Sequence, residues 1–185
     1  MTSFETQRKP YPLDDLVPGS TVFIKITSTR SPNFFYAVLP FGSTSYEKIN
    51  VDTAKQLMDK LKTAPEFRKY KDLSNRMKLF YSKAGTKDQF KSPPKPNWLV
   101  AAKEDQNFFR ARVIGANVDN SIYQLQCIDT GKVSSVSRSN IYKLKPEFYE
   151  LAEFAVQYSM PNIEPYMACN NLVNGRKPAW SEAAK

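Results

Sequence analysis

The middle of the chain alternates between apolar and polar residues with the two-residue period of β-strands. An apolar run starts at Trp98 and stops at a polar turn, 103–107. In the next segment, 108–113, Phe109, Ala111 and Val113 alternate with two arginines. A polar turn then leads to a strand at 122–128, a glycine-containing turn to a strand at 133–136, and Ile141 and Leu144 close the unit. Four or five short strands over 97–144 predict a small bent barrel, because closure removes exposed strand edges.

The flanking segments mix strand and helix patterns. We predict strands at 21–26 and 34–39, joined as a hairpin through a turn at 27–33. Apolar residues at helical spacing predict one helix over 51–61, capped by Asn50 or Asp52, and a second over 66–82, with an interruption at Pro65. After the barrel the pattern predicts a short helix, a strand, a turn and a last helix, at 146–153, 154–160, 161–165 and 180–184.

The central segment resembles the core of a Tudor domain. The motifs that match are Ala102 with Asp105, then Phe108-Phe-Arg-Ala-Arg-Val113, then Ile128-Asp-Thr-Gly131. The family has an acidic turn, then Trp-Tyr-Arg-Ala, and later Ile-Asp-Tyr-Gly-Asn. Order and spacing agree, but Thr130 replaces the tyrosine of the last motif and Lys132 replaces its asparagine.

The resemblance extends to nearly the whole chain as an extended Tudor unit of the PIWI–piRNA pathway family. It implies an α+β, mainly β fold, in which a Tudor SH3-like barrel is inserted into a split nuclease-like (OB-like) barrel and a long helix joins the two. We therefore expect an extended lead-in at 1–16 and the first part of the nuclease-like barrel, with its helices and linker, at 17–96. The Tudor core would occupy 97–144, and 145–185 would complete the nuclease-like barrel.

Many Tudor domains bind methylated arginine or lysine in a cage of aromatic rings through cation–π attraction. By the resemblance, the residues at the peptide-binding cage positions are Lys103, Phe109, Cys127, Thr130 and Lys132. Only Phe109 is aromatic, and the two lysines would repel a bound cation. Arg110 and Asp129 are interpreted as a supporting ion pair, although Asp129 also stands as an acid that a ligand arginine could reach.

The composition adds a basic charge and limits the chemistry. The formal net charge is +9 at pH 7, which fits either a solvated basic surface or an acidic or nucleic-acid partner. The chain has no histidine, which excludes Ser-His and Cys-His nucleophiles, and no phosphate-binding glycine motif. Cys127 and Cys169 match no metal or disulfide spacing. We expect no enzyme activity, no cofactor and no metal.

The expected function is a scaffold module that binds an arginine-containing peptide, independently of arginine methylation because the cage is incomplete. The implied partner is the arginine-rich N-terminal tail of a PIWI/Argonaute-family protein or another Tudor scaffold, with self-association also open. The alternative is a single-stranded RNA-binding module that uses the basic OB-like barrel. Without an apolar leader or spanning segment, we expect a soluble cytoplasmic protein, placed by the resemblance in perinuclear germ granules and in RNA silencing during gametogenesis.

Overall fold

The computed structural model describes most of the chain. The described residues are 10–13, 16, 19, 21–31, 33–44, 49, 53–83 and 85–160. The turn at 161–165 and the helix at 180–184 lie outside them, as does most of the lead-in. Within the described residues, no helix is long and apolar enough to cross a lipid bilayer.

The fold is α+β and mainly β, and the described residues form two α-helices and two antiparallel sheets. The helices are α1 (Ala54–Thr63) and α2 (Pro65–Tyr81). The strands are β1 (Lys25–Ser31), β2 (Phe34–Val38), β3 (Leu99–Glu104), β4 (Asn107–Ala116), β5 (Ile122–Cys127), β6 (Val133–Ser137), β7 (Ile141–Lys143) and β8 (Val156–Ser159). One sheet has the order β1-β2-β8, and the other has the order β6-β5-β4-β3-β7.

The five-stranded sheet is curled, as its connectivity requires. β6 and β7 are its two edge strands, which would lie about 19 Å apart in a flat sheet with four inter-strand gaps. The chain passes from Ser137 to Ile141 through one short 3₁₀ turn, a reach of at most about 14 Å. The edges are therefore brought together by curvature, and the predicted bent unit over 97–144 takes this form.

The three-stranded sheet joins a segment that precedes the helices to one that follows the five-stranded sheet. β2 pairs with β8 from Phe34↔Ser159 to Ala37↔Val156, although some 120 residues separate them. The chain therefore leaves this sheet, forms the helices and the five-stranded sheet, and returns. This pairing is the interlocked arrangement expected from the resemblance, while the residue boundaries assigned to each part remain a prediction.

The helices follow the predicted pattern with a shifted cap. Thr53 caps α1 through a capping box with Gln56, in place of Asn50 or Asp52. α2 starts with Pro65, which fits the first turn of a helix because its missing N–H has no partner there. Its buried residues are Leu73, Met77 and Tyr81, which are spaced four apart.

β4 divides two apolar cores. Ala111 and Val113 pack in the interior of the curled sheet, with Phe109 partly buried against them. Phe108 lies on the opposite face, in the core shared with α2 and with Phe148 and Phe154 from the returning segment. This second core is what attaches the helix to the barrel.

Two sequence predictions are wrong in detail. The first strand was predicted at 21–26 with a turn at 27–33, whereas β1 runs from Lys25 to Ser31. β1 is an edge strand with two bulges, and Ile26 is half exposed. The limits of β1 are therefore set by its hydrogen bonding to β2. Burial of its apolar residues does not set them.

The helix predicted at 146–153 is only a 3₁₀ turn, Pro146–Phe148. The helix does not continue because Arg110 uses its backbone acceptors. The carbonyls of Phe148, Leu151 and Ala152 accept hydrogen bonds from Arg110. In a longer helix the Phe148 carbonyl would instead accept from a backbone N–H one turn later.

Because the three-stranded sheet combines segments from before and after the barrel, we expect that residues 1–96 cannot fold alone. A fragment of residues 1–96 would lack β8 and would expose Leu73, Met77 and Tyr81, each at most 2% exposed in the whole chain. We expect this fragment to show no cooperative thermal unfolding by circular dichroism, while residues 1–185 do. A soluble fragment with a sharp transition would contradict the arrangement.

Candidate functional site

Arg110 is the central side chain at the junction of the two sheets. It is 1% exposed and points away from the barrel interior. Its Nε donates to Oδ2 of Asp129 at 3.0 Å and its Nη2 to Oδ1 at 2.5 Å. The remaining three donors reach the carbonyls of Phe148, Leu151 and Ala152 at 2.9, 2.6 and 2.8 Å. All five guanidinium donors are therefore satisfied inside the protein.

In this geometry Arg110 and Asp129 form a buried ion pair. Asp129 is 3% exposed, both of its oxygens face Arg110, and Oδ1 also lies 3.4 Å from the backbone N–H of Phe154. A ligand arginine that reached the Asp129 carboxylate would have to share oxygens that already accept from Arg110 in a buried pair. The pair ties β4 to the turn after β5, and the Arg110 bonds to the three carbonyls add the segment that returns to β8.

Three of the predicted cage positions lie on the strands of the curled sheet. Phe109 is half-buried and pairs with Ala102, while Cys127 is buried and pairs with Ala111, so both belong to the barrel's inner face. Lys103 pairs with Phe108 and stands over its ring at 5.9 Å, on the outer face. The structure therefore places Phe109 and Cys127 on one face of the sheet and Lys103 on the other.

The other two positions lie on the turn after β5. Thr130 is half-buried, and its carbonyl accepts a hydrogen bond from the Thr27 hydroxyl of β1 at 2.7 Å. Lys132 is exposed and forms an ion pair with Glu104 at 3.1 Å. Between them, Gly131 has φ +74°, and a Cβ added there would lie 2.1 Å from the Tyr36 ring. The turn is thus packed directly against the other sheet.

A cleft opens at this junction. It is a cavity of about 240 Å³ between β1, the start of α2 and the turn after β5. Its lining residues are Tyr11, Lys25, Thr27, Val38, Leu39, Glu66, Phe67, Tyr70, Asp129, Thr130 and Phe154. Of the predicted site residues, the cleft contains Asp129 and Thr130. Thr27 and Glu66 are residues that sequence analysis did not select.

The acid with an accessible edge in this cleft is Glu66. Its side chain is 12% exposed and is paired at 2.6 Å with Lys69, which is itself largely exposed. The only sequence signal was its place just after Pro65, which marks a helix start and not a binding site. Sequence analysis does not select Tyr36 either. The strand pattern predicts that Tyr36 packs in an apolar core, and it contains no signal for a contact between the ring and Gly131.

Several rings around the junction already carry a cation of this chain. Lys25 stands over Phe67 at 5.0 Å. Arg30 stands over Phe34 and Tyr36 at 5.8 and 5.7 Å. Because these intramolecular contacts use ring faces, the same faces are not open to a ligand cation.

Burial makes two polar groups near the junction inert at neutral pH. Desolvation raises the pKa of the Cys127 thiol to about 11 and that of the Tyr70 hydroxyl to about 12. The thiol therefore stays protonated and is a poor nucleophile or metal ligand. Across the part of the chain that the structure describes, no group of three or more Cys, Asp or Glu side chains could hold a metal ion.

Removing Arg110 should destabilise the whole fold. Arg110→Ala leaves the Asp129 carboxylate and three carbonyls buried without their donor, and we expect a loss of about 3–5 kcal/mol in the free energy of unfolding. The matched control is Lys132→Ala, which breaks an exposed pair and should cost less than about 1 kcal/mol. Urea denaturation measures both. Equal effects of the two substitutions would contradict the role of Arg110.

Gly131 should tolerate no side chain. Gly131→Ala combines a strained left-handed φ with a clash against Tyr36, and we expect at least about 2 kcal/mol of destabilisation. Gly115→Ala is the control, since an added Cβ there meets nothing within 4 Å, and should change stability by less than about 1 kcal/mol. A Gly131→Ala protein as stable as the control would show that the Tyr36 contact is not tight.

Comparisons with known proteins agree with this geometry. Human RING finger protein 17 is 28% identical over 164 residues, which cover 89% of this chain but only 8% of that protein. The extended Tudor domain TD3 of mouse TDRD1, solved with a MILI peptide containing dimethylarginine, superposes with a TM-score of 0.64 at 15% identity, over 97% of this chain and 72% of that one.

The extended Tudor domain of Drosophila melanogaster Papi superposes with a TM-score of 0.62 at 18% identity, over 86% of this chain and 69% of that one. A variant of that domain has been solved with Piwi N-terminal peptides in dimethylated and unmethylated forms. The sequence model described as Tudor domain matches residues 62–162, more than half of the chain. This protein therefore belongs to the Tudor domain family, with the fold of an extended Tudor domain.

Proposed function

We propose that this chain is a non-catalytic module that binds an arginine-containing peptide of a PIWI-type partner, without requiring methylation of the arginine. The structures that superpose on it include domains bound to Piwi and MILI peptides, one of them in both methylated and unmethylated forms. The peptide would lie in the cleft at the junction of the two sheets. The observation that carries the proposal is that Phe109 is the one ring among the five cage positions.

The missing rings remove the reason for a methylation preference. A cage favours a methylated guanidinium because the methyl groups lower its hydration and pack against ring faces, a gain of roughly 1–2 kcal/mol. Phe109 is half-buried, and Lys103 and Cys127 occupy the positions where further rings would stand. Thr130 takes the place of the tyrosine of the turn, and its carbonyl accepts a hydrogen bond from β1. At these five positions, methylation would therefore remove a donor without adding a ring contact.

Repulsion by the two lysines contributes less than the sequence indicates. Lys132 is neutralised locally by Glu104, and Lys103 stands over Phe108 on the outer sheet face. An approaching arginine therefore meets no isolated ammonium group at Phe109. This leaves room for an unmethylated arginine, which keeps all five donors.

Glu66 is the proposed acceptor for that arginine. It lines the cleft at the start of α2, and its partner Lys69 is 56% exposed, so a ligand guanidinium would replace a lysine whose ammonium group can return to water. Arginine also offers two parallel donors to a carboxylate, which lysine cannot do. The acid of the site is thus proposed on the helix and not on the turn at Asp129.

The resemblance to germline Tudor scaffolds also supports proposals about location and about a second partner. We propose a cytoplasmic, germ-granule location for the protein that contains this chain, and another Tudor scaffold as a second possible partner. Single-stranded RNA is the alternative ligand, because the net charge of +9 favours binding to phosphates.

The affinity for an arginine–glycine peptide should not increase on methylation. We expect the unmethylated and symmetrically dimethylated forms to bind within about threefold of each other in isothermal titration calorimetry. Binding of the dimethylated form about tenfold tighter would contradict the proposal. Binding of oligouridine, but of neither peptide, would replace it with the RNA function.

Two sets of variants locate the site. Glu66→Gln should weaken both peptides by about fivefold or more, while Glu147→Gln, an exposed glutamate outside the cleft, should have no effect. Conversely, Cys127→Tyr with Thr130→Tyr and Lys132→Asn should shift the preference toward the dimethylated peptide. An unchanged preference in a folded triple variant would show that these positions do not form the cage.

A further inference from the structure

A second surface on the same helix has the features of a binding groove. It is an open groove of about 560 Å³ between the C-terminal half of α2, the turn at 86–88 and the turn at 146–148. We call it the α2 groove. The cleft uses the first turns of α2, up to Tyr70, while the groove begins at Arg76 and centres on Leu79, about 13 Å farther along the helix axis.

The floor of the α2 groove is apolar and exposed. Leu79 is 67% exposed and Phe80 is 37% exposed, next to the fully buried Phe148, whose ring meets Phe80 edge-on at 5.9 Å. The buried residues of α2 are Leu73, Met77 and Tyr81, and Phe80 packs edge-on against Tyr81 at 5.0 Å. Leu79 lies off this face and is 67% exposed, so the fold of α2 does not require its side chain.

The rim of the groove is basic. Arg76, Lys83, Lys87 and Lys145 surround the floor, against two acids, Asp88 and Glu147. Asp88 is already engaged, with Lys145 at 2.7 Å, and this contact lowers its pKa. Lys143 lies beside the rim, with its Nζ directed to the Lys87 carbonyl. The lining therefore has an excess of positive charge over an apolar floor.

On α2, two cations of the groove flank an apolar residue. Arg76, Phe80 and Lys83 follow one another at i, i+4 and i+7, so an apolar residue lies between two cations about 10 Å apart along the helix. A peptide with acids on both sides of an apolar pair carries the complementary pattern, with carboxylates for the cations and apolar side chains for Leu79 and Phe80.

We propose that the α2 groove binds an acidic peptide segment with a large apolar centre, as a second interaction site independent of the arginine-peptide cleft. Charge complementarity selects the acids, and burial of the exposed apolar floor supplies the rest of the affinity. The cleft and the groove would take segments of opposite charge. One chain could then bind two different segments, of one partner or of two.

The observations favour a peptide over RNA. Bases bind single-strand sites by stacking on open aromatic faces. Here Lys145 stands over the Phe80 ring at 5.5 Å and Arg76 over the Phe148 ring at 5.9 Å, so both rings already carry a cation. The most exposed apolar side chain of the groove is Leu79, which can contact an apolar side chain of a peptide but offers a base no ring to stack on.

The test uses the whole chain and a fluorescein-labelled peptide with the core Glu-Phe-Leu-Glu, followed by fluorescence anisotropy. Lys83→Glu with Lys87→Glu should weaken binding by about tenfold or more. Lys71→Glu with Lys78→Glu is the matched control, because it makes the same change of charge at exposed positions of α2 outside the groove, and should change affinity by less than about twofold. Leu79→Ser should weaken binding by about threefold without loss of helix signal in circular dichroism.

Three results would overturn the proposal. One is equal weakening by both charge-reversal pairs, which would mean that only the net charge of the protein is sensed. Another is equal binding of a peptide in which Phe-Leu is replaced by Ser-Ser, which would exclude the apolar floor. The third is oligouridine binding that is tighter than peptide binding and lost in Lys83→Glu with Lys87→Glu, which would make the groove an RNA site.

Discussion

The buried contact between Arg110 and Asp129 determines how the two halves of this chain fit together. A buried guanidinium is unfavourable unless every donor has an acceptor, and here the acceptors come from two distant segments. Asp129 belongs to the turn after β5, and the three carbonyls belong to the segment that leads into β8. Satisfying one side chain therefore fixes the path of the returning chain, and with it the β2–β8 pairing that completes the second sheet.

The same constraint shapes the candidate binding site. Because Arg110 occupies both oxygens of Asp129, the acid most conspicuous in the motif is structural, and the acid that lines the cleft with an accessible edge is Glu66. The contact of Gly131 with Tyr36 presses the motif turn against the first sheet, and Thr27 closes part of the gap by bonding to Thr130. The cleft is thus a product of inter-sheet packing and not of the Tudor core alone.

The strands of the core were predictable, because alternation over 108–113 and 122–128 reports directly which side chains face the barrel interior. The opposite directions of Phe108 and Phe109 followed from the same rule. The limits of β1 could not be predicted from the sequence, because hydrogen bonding to β2 sets them. The bulges of β1 also produce no recognisable pattern of apolar residues. Nor did the loss of the helix after Pro146, because its carbonyls are taken by an arginine some forty residues earlier in the chain. Glu66 and Tyr36 acquire their positions only when distant segments meet, which a local pattern does not encode.

We propose that an unmethylated arginine peptide occupies the cleft between the two sheets. A ¹H–¹⁵N correlation NMR titration of the whole chain with an unmethylated arginine–glycine peptide measures this directly. We expect shifts of the amide resonances of Lys25, Thr27, Glu66, Phe67 and Thr130, with those of the α2 groove unchanged. Shifts confined to Arg76–Lys83, or to the exposed loop at 117–121, would contradict it.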